Sequence, residues 1–169
     1  MKKLTFLLAT LLVGGMMFTG CTKDPVNPDP TPEPTPEPTP TTKTVVYSIK
    51  NTSVNILTGV VTTMSPGFYF NVSYTGADGQ VVSLENVSAP WSQEITVELP
   101  FDAKIEGTIT FVEEELPDTL SFCKFIHITY DGYSQGLDSH LDMSKEKFLE
   151  QIVNQHPEKL EFSKTWHIE

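Results

Sequence analysis

In residues 68–75 the chain reads Phe-Tyr-Phe-Asn-Val-Ser-Tyr-Thr, with Phe68, Phe70, Val72 and Tyr74 on one side of a two-residue repeat and Tyr69, Asn71, Ser73 and Thr75 on the other. Successive side chains of a strand point to opposite faces, so this repeat describes a strand with one buried and one wet face. The same alternation carries Val45, Tyr47 and Ile49, then Ile95, Val97 and Leu99, then Ala103, Ile105, Gly107, Ile109 and Phe111. It returns at the end of the chain with Leu160, Phe162, Trp166 and Ile168, and residues 122–130 form a further strand-like run. Gly76-Ala77-Asp78-Gly79 reads as a hairpin loop and Asp131-Gly132 as a two-residue turn. Faces that are half wet and half buried point to antiparallel sheets rather than to β-α-β units.

One segment departs from this repeat. Ser144 is placed to cap a helix, Phe148, Leu149, Ile152 and Val153 make one apolar stripe at helical spacing, and Pro157 prevents continuation. The expectation is therefore a mainly β domain, an antiparallel β-sandwich with one short C-terminal helix followed by a final strand. Residues 52–66 suit either an edge strand or a long loop, and the pattern does not choose between them.

The start of the chain changes the picture. Lys2 and Lys3 precede an apolar run, residues 4–17, too short to span a membrane, and the run closes on Phe18-Thr19-Gly20-Cys21. This resembles the lipobox of bacterial lipoproteins, with Phe18 where an aliphatic residue is usual. It implies a signal peptide over residues 1–20 and a lipid on Cys21, the first residue of the mature chain; an ordinary secretory peptide is the plainer alternative. Residues 21–43 then form a Pro/Thr/Glu-rich linker that repeats Thr-Pro-Glu-Pro, a composition that favours an extended polyproline II rod with a reach of roughly 55 Å. Residues 44–169 remain for one β-sandwich domain. The expected location is the cell envelope, lipid-anchored, on the outer membrane of a Gram-negative bacterium.

Charge narrows the partners. The chain carries a formal charge of −11, and loss of the two lysines ahead of Cys21 takes it to −13. It contains no arginine, so it lacks the forked donors that read phosphates and base edges, and nucleic acid is not an expected partner. With Cys21 lipidated, Cys123 is the one remaining thiol and no disulfide can form within the chain.

Several short segments together resemble a known family. Asn71-Val-Ser-Tyr-Thr, Ala77-Asp-Gly, Val87-Ser-Ala-Pro-Trp-Ser, Ile95-Thr-Val and the run from Cys123 to Asp131-Gly132 look like the small extracytoplasmic domain of the mycobacterial MmpS family and its lipoprotein relatives. The resemblance implies an immunoglobulin-like sandwich and a non-catalytic role as accessory to an RND-type exporter. Ala89 in place of Leu before Pro-Trp, the missing second cysteine, the added helix and final strand, and a lipid anchor in place of a membrane helix all depart from the family.

Candidate chemistry is sparse. Asp138, His140 and Asp142 alternate and would share a face of an extended segment, an oxygen and imidazole set suited to a divalent cation. The plainer reading is a polar loop leading into the helix, with Asp142 or Ser144 as its cap, and no metal or other cofactor is expected. Asp118-Thr119-Leu120 resembles a bacterial O-glycosylation acceptor, which makes Thr119 a candidate for modification. Trp91 and Trp166 read as core residues before ligand platforms, and Cys123, between apolar neighbours, as an inert packed thiol. No nucleophile elbow, phosphate loop or zinc spacing occurs, so no enzymatic activity is expected. The function these features suggest is a non-catalytic envelope protein whose domain binds a protein partner, as accessory to a transporter or assembly; the alternative is a surface glycan-binding or adhesive module.

Overall fold

The structure, a computed structural model, describes residues 40–169. The signal peptide, Cys21 and all but the last residues of the linker lie outside the described residues. Ten strands are present among the described residues: β1 (Thr42–Ile49), β2 (Thr52–Val54), β3 (Val61–Thr63), β4 (Phe68–Thr75), β5 (Val81–Val87), β6 (Trp91–Glu98), β7 (Phe101–Phe111), β8 (Thr119–Tyr130), β9 (Tyr133–Ser144) and β10 (Glu161–Ile168). One sheet runs β6-β1-β8-β9 and the other β10-β7-β4-β5, with every pair antiparallel, and β2 and β3 form a separate hairpin. The architecture is the expected antiparallel β-sandwich, two sheets packed face to face.

The alternation explains the core. Val45, Tyr47 and Ile49 of β1 and Ile126 and Ile128 of β8 face Phe70, Val72 and Tyr74 of β4 and Ala103, Ile105 and Ile109 of β7 in one buried cluster. Tyr47 ties the two sheets together: its ring lies 5.1 Å from that of Tyr74, and its hydroxyl donates to the Thr75 carbonyl at 2.9 Å. Burial pushes the Tyr47 phenol up to about 12. Gly107 is required by packing, since a Cβ there would lie 1.9 Å from the Asn71 carbonyl oxygen and against the Phe162 ring.

Three segments differ from or refine the sequence reading. Strand β1 begins at Thr42, two residues inside the expected linker, because Thr42 and Lys43 already pair with Glu98 and Val97. Residues 52–66, left open by pattern, hold the β2–β3 hairpin. The polar stretch before Ser144 is strand β9, paired with β8 along its whole length through the Asp131-Gly132 turn, in which both residues take positive φ.

Ser144 caps the late helix as expected, its hydroxyl accepting from the Lys147 amide. One α-helical turn, α1 (Lys145–Lys147), continues as a π-helical segment, Phe148–Gln155. Its buried residues are Phe148 and Ile152. The Phe148 ring meets Phe68 of β4, Phe111 of β7 and Phe122 of β8 with ring centres 5.3 to 5.4 Å apart, so the helix plugs one end of the sandwich. Edge-to-face aromatic contacts add to the burial of each ring. Truncating the plug, Phe148→Ala, is expected to cost about 3–5 kcal/mol, read as a lowered midpoint in urea unfolding with an unchanged m-value.

Candidate functional site

Strand β8 presents apolar side chains on both faces. Phe122, Ile126 and Ile128 belong to the core between the sheets, while Cys123, Phe125 and His127 are also buried but point the other way. Around this second, smaller buried patch stand the residues singled out from sequence.

Asp138, His140 and Asp142 do share a face of β9, opposite Phe125, Cys123 and Ser121. Two of the three carboxylate and imidazole groups are already engaged by neighbours. Asp138 accepts from His127 Nε2 at 3.0 Å to each oxygen, and Asp142 accepts from the Ser121 hydroxyl. No group of three such side chains is placed to hold a metal ion among the described residues. His127, which the sequence reads as a surface or packed strand residue, is packed. Its ring fills the space beside Gly136, where a Cβ would lie 1.8 Å from His127 Cδ2, and its buried Nδ1 has no partner among the described residues. The His127–Asp138 pair is thus a structural clasp: Nε2–H donates to the carboxylate and Nδ1 is out of reach of solvent.

Cys123 is buried, and its thiol donates weakly to the Ser121 carbonyl at 3.7 Å. Burial pushes the thiol up to about 11, with the Asp142 carboxylate adding to the effect. Nucleophilic thiolate is therefore scarce at neutral pH.

Beyond these groups, the inner side of the β9 edge carries a recess of about 180 Å³ lined by Phe122, Lys124, Ser139, His140, Leu141 and Lys159. Burial pulls the Lys124 ammonium below the usual lysine value, partly offset by Glu161, and Lys124 Nζ donates to the Glu161 carbonyl at 2.6 Å. At the far end of β10, His167 is held protonated above the usual imidazole value by its hydrogen bond to Asp102 at 2.6 Å. That pair is exposed and joins β10 to β7.

The remaining candidates are dispersed. Thr119 is exposed at the start of β8, opposite Ser144. Trp91 packs on Tyr74 at 5.8 Å and Trp166 on Tyr130 at 5.9 Å, both half-buried against the core. Tyr133 is exposed beside the Asp131-Gly132 turn, away from either tryptophan in sequence and without an aromatic partner among the described residues. No helix among the described residues is long and apolar enough to cross a membrane. Set against known proteins, the chain matches no protein-family model and no curated sequence.

Four outcomes are expected from this geometry. Calcium or zinc is expected to leave the thermal midpoint of the domain unchanged, while Asp138→Ala lowers stability by about 1–3 kcal/mol because the buried imidazole loses its partner. Cys123 is expected to resist a thiol reagent at pH 8 in the folded chain and to react only with unfolding, as followed by absorbance. In a proton NMR titration, Asp102→Asn is expected to bring His167 back down to the usual imidazole value. Because the folded value is the raised one, the contribution of this pair to stability is full below the unfolded imidazole value and fades as pH rises through the folded one.

Proposed function

We propose that this protein is a non-catalytic, lipid-anchored component of the bacterial cell envelope, held by a lipid on Cys21 and presenting its sandwich domain to an envelope protein partner. The observation that carries the reading is the order of segments: an export signal closing on Gly20-Cys21, a Pro/Thr/Glu-rich spacer, and then one packed β-domain. Two acyl chains, at about 0.8 kcal/mol for each buried methylene, hold such a chain on a bilayer. The spacer sets the reach, and the domain meets its partner at a raised effective concentration. The character of the domain supports a binding role. Its His127 and His167 are each held by a carboxylate, its one described thiol is buried, and its tryptophans pack against the core.

The MmpS-like segments favour a partner of the envelope-transporter class, and the anchor is assigned to the outer membrane. In this reading the accessory role transfers from the resembled family, while the added helix and last strand belong to this chain. Thr119, exposed and in its acceptor-like sequence, is the proposed place of glycan attachment.

Intact-mass measurement of the native protein is expected to show the leader removed and diacylglycerol on Cys21, with any added hexose units mapping to Thr119. Crosslinking in whole cells, followed by pull-down, is expected to recover an RND-type pump or its adaptor. Recovery of surface glycan in place of an envelope protein would move the assignment to an adhesive module, and an unlipidated Cys21 would remove the anchor.

A further inference from the structure

The β2–β3 hairpin stands apart from the two sheets, and its tip is apolar. Ile56 is 95 % and Leu57 96 % exposed, and Val54, Val60 and Val61 behind them are also exposed. Apolar side chains so fully in water on a short projecting loop are not explained by the core, which the hairpin does not join.

The loop is nonetheless internally ordered. The Asn55 side chain accepts from the amides of Leu57 and Thr58, the Asn55 carbonyl accepts from the Gly59 amide, and the Thr58 hydroxyl accepts from the Val60 amide. The Asn55 amide in turn donates to the Val60 carbonyl. Gly59 takes the positive φ that closes the turn. Five amides of the tip are thus satisfied within the tip itself, so it can enter a medium that offers no hydrogen bonds without stranding these donors. The Ile56 amide and the Ile56, Leu57 and Thr58 carbonyls have no partner within the tip, so the backbone rests at the level of the headgroups and only the Ile56 and Leu57 side chains pass deeper.

Charge points the same way. No charged residue occurs from Asn51 to Ala77, in a chain in which one residue in five is charged. Thr52, Ser53, Thr62 and Thr63 flank the tip with hydroxyl groups, suited to the level of lipid headgroups. The acidic turn Glu113–Glu115 lies at the same end of the sandwich, where the Val112 amide donates to the Gly67 carbonyl, and it disfavours an anionic surface.

We infer that the β2–β3 hairpin is a finger that inserts Ile56 and Leu57 into a zwitterionic lipid bilayer. The inference deepens the envelope reading and rests on it only for how a bilayer comes within reach. Strand β1 begins where the linker ends and leads, about 26 Å along its eight residues, to the finger. A spacer with a reach of roughly 55 Å therefore lets the finger end of the domain turn to the membrane that holds Cys21. Two aliphatic side chains bind a bilayer weakly alone, and the tether makes their insertion an intramolecular event.

The test joins Cys21 of the mature chain by maleimide lipid to phosphatidylcholine vesicles with brominated acyl chains, so the bilayer is present whether or not the native chain is lipidated; the buried Cys123 does not compete. Leu57→Trp is compared with the parent, whose Trp91 and Trp166 give the background. The expected result is several-fold more bromine quenching in Leu57→Trp than in the parent, lost when Ile56→Asp is added. Both sites are fully exposed, so neither change threatens the fold, and circular dichroism checks this. Quenching no greater than the parent's overturns the inference, leaving the finger to a protein pocket. Self-association of the parent that Ile56→Asp abolishes overturns it in favour of a second copy of the chain. Failure of the anchor reading would show separately, as an unlipidated native mass.

Discussion

The architecture depends on closing one end of the sandwich. Strand β1 pairs with β8 only from Ile126 to Tyr130, while β8 and β9 run on together to Thr119 and Ser144. Beyond Ile49 the first sheet continues beside β8 through isolated backbone bonds, Lys50 to Phe125 and Ser65 to Ser121. The two sheets would leave apolar rings facing a gap at this end. Phe148 fills it, fully buried among Phe68, Phe111 and Phe122, which come from three strands and both sheets. Ser144 is at once the last residue of β9 and the helix cap, so the β8–β9 register determines where the plug falls. With β8 held by β1, a slip of one residue in that hairpin would flip β9 and turn the helix away from the gap.

Legibility in the sequence tracked burial on one face. Strands β1, β4, β7 and β10 declare themselves because each has a core face and a wet face, and the two-residue repeat is the direct image of that asymmetry. The cap at Ser144 and the stripe through Phe148 and Ile152 were equally plain, since a helix on a core repeats every three to four residues. Strand β9 was not readable. It is an edge strand, most of its residues are exposed on both faces, and backbone pairing to β8 holds it without any hydrophobic period. The β2–β3 hairpin escaped for a related reason: its valines oppose each other across the pair but face water, so they carry no alternation against a core.

The chemistry of the β9 face shows the same division. Alternation puts Asp138, His140 and Asp142 on one side only if the segment is extended, and the polar-loop reading gave way to strand β9. What it could not supply was the neighbour across the ladder. His127 pairs with Gly136, two residues from Asp138 on the same face, and the clasp exists because glycine leaves room for the imidazole. A histidine within an apolar run next to a glycine-containing polar run is a signal of this kind, but it becomes interpretable only with the register in hand. Cys123 was legible as inert because its neighbours in sequence are aromatic, although burial comes from a second patch outside the main core.

The absence of charge between Asn51 and Ala77 has two physical causes in one stretch. In β4, a central strand, the outward residues Tyr69, Asn71 and Ser73 are half-buried between neighbours on both sides, and a charge there would be poorly solvated. In the β2–β3 hairpin no such constraint exists, because the segment stands in water and a lysine or glutamate would cost nothing. Edge hairpins are ordinarily protected by charged residues that prevent pairing with other chains. Here that protection is missing, and order is supplied instead by Asn55, which gathers the amides of the loop and leaves Ile56 and Leu57 outside. A loop without a use for its apolar tip would gain solubility from the charge it lacks, whereas a loop that satisfies five of its amides within itself and turns its aliphatic side chains outward is suited to place those side chains out of water.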